Sequence, residues 1–408
     1  MQIGYKKLRY SELTLLLYTF LIPLEEFFLQ NLVGSTTRIA GGAMILIYLL
    51  IEPPINWRKF SLSFYLYFIW AASSIIIWAN SPSYFAIFRL SMWMIITIIA
   101  ALIIARNTAL IPLLLKVYAL SSFFLVYVAI KNFGQIEDIE FDRVDVKGVN
   151  QNLIATHFLI SIIFIIFSYF RYDYSARNKT LLIWLIIIFT LGIIASGSRS
   201  ALFVLLLSFF FILPKDTIRF STIARTLLIL CLAGYFLMYT DNGFTRYLNR
   251  RIELAQTDKA ANRLIIWKVA ENMIEENIII GVGYRNFPSE FSAYLDKTKL
   301  EEEERYRIGD RRYAGTHNAF LETWSELGLI GLLLFYGFQF RLTRKLYQNK
   351  SNESQLAFIL LLGININALF GDLANWKFFW LIVSVCMAIL IHAPKDKKLK
   401  KLSLFKNT

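Results

Sequence analysis

Residues 110–130 read LIPLLLKVYALSSFFLVYVAI, an apolar run interrupted by one charge, Lys116. It exceeds the ~18 residues at which a membrane span becomes the default reading. Residues 13–30 (LTLLLYTFLIPLEEFFLQ) and 61–79 (SLSFYLYFIWAASSIIIWA) repeat the pattern. Apolar residues make up 57% of the 408-residue chain, and its charges cluster between such runs. Soluble helices of this length would carry charged faces. The reading is an all-α, polytopic membrane protein.

The expected spans are 11–30, 36–51, 60–79, 85–104, 109–130, 151–170, 180–196, 199–213, 222–240, 319–338, 354–371 and 375–392. This gives about twelve transmembrane helices, divided by one large loop at 241–316. Four regions follow: 1–240 with the first nine spans, 241–318 with the loop and its membrane re-entry, 319–393 with the last three spans, and a basic tail at 394–408. The first span follows Lys6, Lys7 and Arg9 but is longer than a signal-peptide core and lacks a small-x-small cleavage site, so it reads as retained.

Orientation follows from the short loops. Arg58/Lys59, Arg106, Arg171/Arg177/Lys179, Lys215/Arg219/Arg225 and Arg341/Arg344/Lys345/Lys350 fall on one side, with both termini. Segments 80–84 and 371–376 on the other side carry no basic residue, and in 131–150 acidic residues outnumber basic ones. Both termini are therefore expected in the cytoplasm. The 241–316 loop lies outside, in the periplasm of a Gram-negative cell. The same rule accounts for the net charge of +14 without nucleic acid, for which no binding signature is present. Cys231 and Cys386 lie within spans and read as small packing residues, neither a disulfide nor a metal site.

Within the loop, 261–275 places Leu264, Ile265, Val269, Met273 and Ile274 at a helical period, which reads as an amphipathic helix on the membrane surface. Gly281, Gly283 and Pro288 then break the chain, and 300–312 is a charged short helix or lid.

Polar residues at the membrane rim are the candidates for chemistry. Arg199, in Gly197-Ser198-Arg199-Ser200-Ala201, stands in a tight external turn. It reads either as an arginine snorkelling to the interface or as a ligand-binding group that small neighbours leave approachable. Arg263 opens the loop helix, where a surface arginine is commonly solvated or holds lipid phosphate. His317 lies where the loop re-enters the membrane. It is either a polar residue satisfied at a helix start or a proton acceptor suited to neutral pH. No His, Cys and Asp cluster has metal-ligand spacing, so neither a metal nor another cofactor is expected. Glu25 and Glu26 stand near the external end of the first span, with Arg38 and Arg89 as possible partners.

Taken in order, these elements resemble the O-antigen ligase and O-antigen polymerase superfamily of membrane glycosyltransferases. The resemblance runs over about 150–392, the first 150 residues matching only as hydrophobic spans. It is carried by the Gly197-Ser198-Arg199-Ser200-Ala201 turn and by Arg263-x-x-x-Trp267, which leads into Gly281-Val282-Gly283-Tyr284 and Phe287. Thr316-His317-Asn318-Ala319-Phe320-Leu321 follows, with Glu326-Leu327-Gly328 placed so that the glutamate is the ninth residue after the histidine.

The resemblance implies a GT-C-like fold in the inner membrane that transfers a glycan from an undecaprenyl diphosphate carrier at the periplasmic face. Arg199 and Arg263 would hold the diphosphate in place of a divalent metal, and His317 would accept the proton of the attacking hydroxyl. Trp267, Asn318 and Asp372 would line the substrate. The acceptor implied is lipid A–core, for a ligase. The alternative is a second carrier-linked repeat, for a polymerase. The single large external loop favours the ligase. A transporter or flippase would instead show matching halves and charged pairs at mid-membrane, and neither is visible.

Overall fold

The computed structural model describes residues 8–28, 36–78, 84–131, 151–196, 198–213, 259–302, 304, 315–371 and 376–392. Of these, 85% are helical and none is in a strand. That is the outcome expected where lipid forces every backbone group to be satisfied within its own segment.

The helices are α1 (Tyr10–Phe28), α2 (Thr36–Ile51), α3 (Leu62–Trp78), α4 (Tyr84–Arg106), α5 (Leu110–Lys131), α6 (Gln151–Arg171), α7 (Ala176–Ser196) and α8 (Arg199–Ile212). After them come α9 (Lys259–Glu276), α10 (Phe287–Lys297), α11 (Ala319–Gln348), α12 (Asn352–Asn367) and α13 (Lys377–His392). Every expected span within the described residues is a helix. The largest difference is α11, which runs to Gln348, past the expected end at 338. The span expected at 222–240 lies outside the described residues. Among the described residues, six helices are long and apolar enough to cross a membrane: those within α4, α5, α6, α7, α11 and α12. Four shorter apolar helices, α2, α3, α8 and α13, accompany them.

The bundle has an inside and an outside. From Phe378 to Ile389 every residue of α13 is buried, and α4, α12 and α11 pack around it. The Trp380 ring lies 5.1 Å from Phe68 and stacks on Phe338 of α11. By contrast, α7 exposes Leu181, Trp184, Ile187 and Leu191, the pattern of a helix that meets lipid. One end of the bundle is tied by polar groups. Glu52 accepts from Ser11 at 2.6 Å and pairs with Arg106, which also donates to the Tyr48 hydroxyl at 2.9 Å. Near the other end of α1, Glu25 pairs with Lys377 and accepts from Thr37 at 2.5 Å, so α13 supplies a partner the sequence did not suggest.

Two features position the segment between α8 and α11. The first is a small second core. Ile265, Ile266, Val269, Ala270 and Met273 of α9 are buried with Val282 and with Phe287, Phe291 and Tyr294 of α10. The apolar stripe expected to lie on lipid is thus covered by protein, although Leu264 stays exposed.

The second is a break in α11 at Gly328, whose φ of 65° and ψ of −172° lie outside helical geometry. A broken helix strands carbonyls on one side and N–H groups on the other. Here the loop after α9 satisfies them. The Ser325 and Glu326 carbonyls accept from Val282 and Gly283 at 2.9 and 2.8 Å, and the Leu329 N–H donates to Ile278 at 2.8 Å. Trp70 of α3 donates to the Leu327 carbonyl at 2.9 Å. Such close backbone contact excludes side chains. A Cβ at Gly328 would meet the Ile279 oxygen at 2.2 Å, and one at Gly281 would meet the Glu326 oxygen at 2.4 Å.

Candidate functional site

The turn between α7 and α8 is two residues long. Ser198 caps α8, its N–H donating to Ser196 Oγ at 3.3 Å and its hydroxyl meeting that of Ser200 at 3.2 Å. Arg199 is the first residue of α8 and is exposed. A cation at a helix N-terminus opposes the macrodipole, at a cost of ~0.3–1 kcal/mol. Helix stability therefore does not explain the arginine; an anion held between it and the open N–H groups would.

Arg263 stands in the early turns of α9, half-buried. Burial, and then repulsion from Arg199, holds its guanidinium below the ordinary arginine range. Two arginines from separate segments thus lie within electrostatic reach of each other, and no carboxylate among the described residues is paired with either. One turn further on the same face stands Trp267. Its indole N–H donates to the Thr316 carbonyl at 3.0 Å. Face by face, α9 joins the Arg199 turn to the start of α11.

Thr316 is fully buried, and its hydroxyl brackets the next residue by donating to the Asn318 carbonyl at 2.7 Å and accepting from the Asn318 N–H at 3.1 Å. Between them His317 is held at φ 52°, in the left-handed region. For a residue other than glycine this costs on the order of 1–3 kcal/mol, and such strain gathers at functional sites. Asn318 caps α11: its Oδ1 accepts from the Phe320 and Leu321 N–H groups at 3.0 and 3.2 Å.

The structure thus brings Arg199 within electrostatic reach of Arg263 and ties Trp267, one turn on from Arg263, to the residue before His317. It also alters two roles read from sequence. Asn318 spends its oxygen on the helix cap, so only its amide N–H groups are left for a ligand. Trp267 spends its N–H on Thr316, so it meets a ligand through its ring. Asp372 lies outside the described residues.

Sequence reasoning missed the carboxylate beneath the glycine loop. Glu326 is 5% exposed and accepts from the Phe287 N–H at 3.3 Å. Tyr284, buried beside it, is pushed well above the ordinary tyrosine range by burial and then by the charge of Glu326. Its N–H donates to Ser74 of α3 at 3.1 Å. The signal was in the sequence, as a glutamate followed by an apolar run within the last long helix, but it looked like motif punctuation. Among the described residues no three His, Cys, Asp or Glu side chains are gathered as metal ligands would be.

No curated protein matches the chain. A family model does match, from residue 183 within α7 to residue 336 within α11. The matched segment contains Arg199, Arg263, Trp267, His317, Asn318 and the Gly281–Gly328 contact, and stops short of Asp372. The model is that of the O-antigen ligase, and over residues 183–336 the chain is similar to the O-antigen ligase and polymerase superfamily.

Proposed function

We propose that the protein is an O-antigen ligase, moving a polysaccharide from undecaprenyl diphosphate to lipid A–core at the periplasmic face of the inner membrane. The observation that carries the chemistry is the Arg199–Arg263 pair. Two like charges from separate segments lie within electrostatic reach of each other, and the helix that carries one of them is tied through Trp267 to the residue before a strained histidine. Their mutual repulsion is relieved by a dianion, and guanidinium forks bind diphosphate oxygens bidentately at any physiological pH.

In this reading the bond from the sugar's anomeric carbon to the diphosphate oxygen breaks as a bond to the acceptor hydroxyl oxygen forms. The electron pair of the broken bond leaves on the diphosphate, where Arg199, Arg263 and the N-terminus of α8 stabilise it. The hydroxyl proton passes to His317. Fixed cations do the work a divalent metal does in other transferases, so turnover needs no metal. Trp267 supplies an aromatic face for a sugar and, through Thr316, fixes the backbone of His317.

Deleting the gene and separating the lipopolysaccharide by electrophoresis tests the assignment. A ligase leaves core without O-chain while polymer accumulates on the carrier. Core bearing a single repeat identifies a polymerase instead, and an unchanged pattern removes both.

A further inference from the structure

A second basic cluster stands apart from the Arg199–Arg263 pair. Arg38 near the start of α2 and Arg89 near the start of α4 line a shallow cleft open to the surroundings. The charge of Arg89 is felt by Arg38 and by Arg285, an exposed residue of the loop between α9 and α10 held at φ 64°. Three segments distant in sequence therefore bring positive charges within electrostatic reach of one another, two of them lining the cleft. Beneath them the cleft turns apolar. Phe88, Met92, Trp93 and Ile96 form its wall, which descends ~10 Å from Arg89 to Ile96 at the rise of an α-helix. Glu25 adjoins through Thr37, but its charge is paired with Lys377.

Charge above an apolar wall is the complement of an amphiphile with an anionic head. We propose that this cleft is a second lipid site, taking the phosphate-bearing headgroup of a membrane lipid between Arg38, Arg89 and Arg285, with its chains along Met92, Trp93 and Ile96. Arg285 belongs to the same loop whose backbone repairs the break in α11, so occupation of the cleft bears on the segment that also carries α9. That the site seats the phosphorylated acceptor rests on the transfer reading above; the binding itself does not.

The test uses the full chain purified in phosphatidylcholine nanodiscs, with tryptophan fluorescence as readout. Phosphatidic acid with brominated chains is the probe, measured against phosphatidylcholine brominated in the same way. The expected result is saturable quenching by phosphatidic acid beyond that by phosphatidylcholine, with part of the excess lost in Trp93→Phe. The double variant Arg38→Gln/Arg285→Asn, at two exposed positions, should weaken the excess at least about tenfold. Arg38→Gln alone should weaken it in the same direction, and both should melt as wild type does. Quenching unchanged in the double variant overturns the site. Full displacement of the probe by inorganic phosphate would mean a small-anion site and overturns the lipid assignment. Because no glycan transfer is read, failure of the ligase reading leaves this outcome separately visible.

Discussion

The indole N–H of Trp267 donates to the carbonyl of Thr316 across 3.0 Å, joining α9 to the residue before His317. Arg263 lies one turn earlier on the same helix, within electrostatic reach of Arg199. In the proposed mechanism this helix sets the distance between the diphosphate clamp and the proton acceptor, with Trp267 as the pin.

Replacing that pin should separate position from folding. Trp267→Phe keeps an aromatic ring but leaves the buried Thr316 carbonyl without its donor, a cost of ~1–3 kcal/mol. Turnover should fall about tenfold or more as His317 loses its placement, while the amount of protein in the membrane stays near wild type. The check is specific transfer activity per mole of purified protein.

The break in α11 gives a matched pair of glycines. Gly328→Ala puts a Cβ 2.2 Å from the Ile279 oxygen at a φ of 65°, so it should destabilise by more than the ~1–2 kcal/mol of left-handed strain alone. A Cβ at Gly337, in the same helix, meets nothing within 4 Å, and Gly337→Ala should be neutral or stabilising by up to ~1 kcal/mol. Melting of both variants in detergent reads the difference.

Much of this architecture was legible in the sequence, and the exceptions have physical causes. The long apolar runs that became α4, α5 and α6 leave few alternatives, because lipid admits helices and little else. The break at Gly328 was hidden because its partners are backbone groups of Ile278 and Gly283, which carry no side-chain signature. The period of 261–275 correctly gave a helix, but period does not say what covers an apolar stripe, and here Phe287 and Phe291 of α10 do. Arg199 and Arg263 were each ambiguous from sequence. Only their meeting, which depends on tertiary structure, sets them apart from snorkelling arginines.

If guanidinium forks hold the diphosphate, geometry matters as well as charge. Arg263→Lys and Arg199→Lys should each lower transfer by ~10–100-fold although the charge is kept. In the same assay, wild-type turnover should be unchanged by EDTA. Loss of activity on chelation, restored by magnesium or manganese, contradicts the metal-free mechanism.

Topology has its own test. A reporter active only outside the cytoplasm should give signal when fused after Asn242 and none when fused at the C-terminus. The reverse pattern would move the Arg199–Arg263 pair to the cytoplasmic side and remove it from any periplasmic reaction.

The most direct measurement is single-turnover transfer by His317→Asn, purified and compared with wild type at equal protein and saturating carrier-linked donor. Asparagine tolerates the left-handed backbone of position 317, so the local fold is kept while the proton acceptor is removed. The account predicts a rate lower by ~10²–10⁴ with donor binding retained. A variant that transfers near the wild-type rate would contradict it, and would make His317 a residue of structure alone.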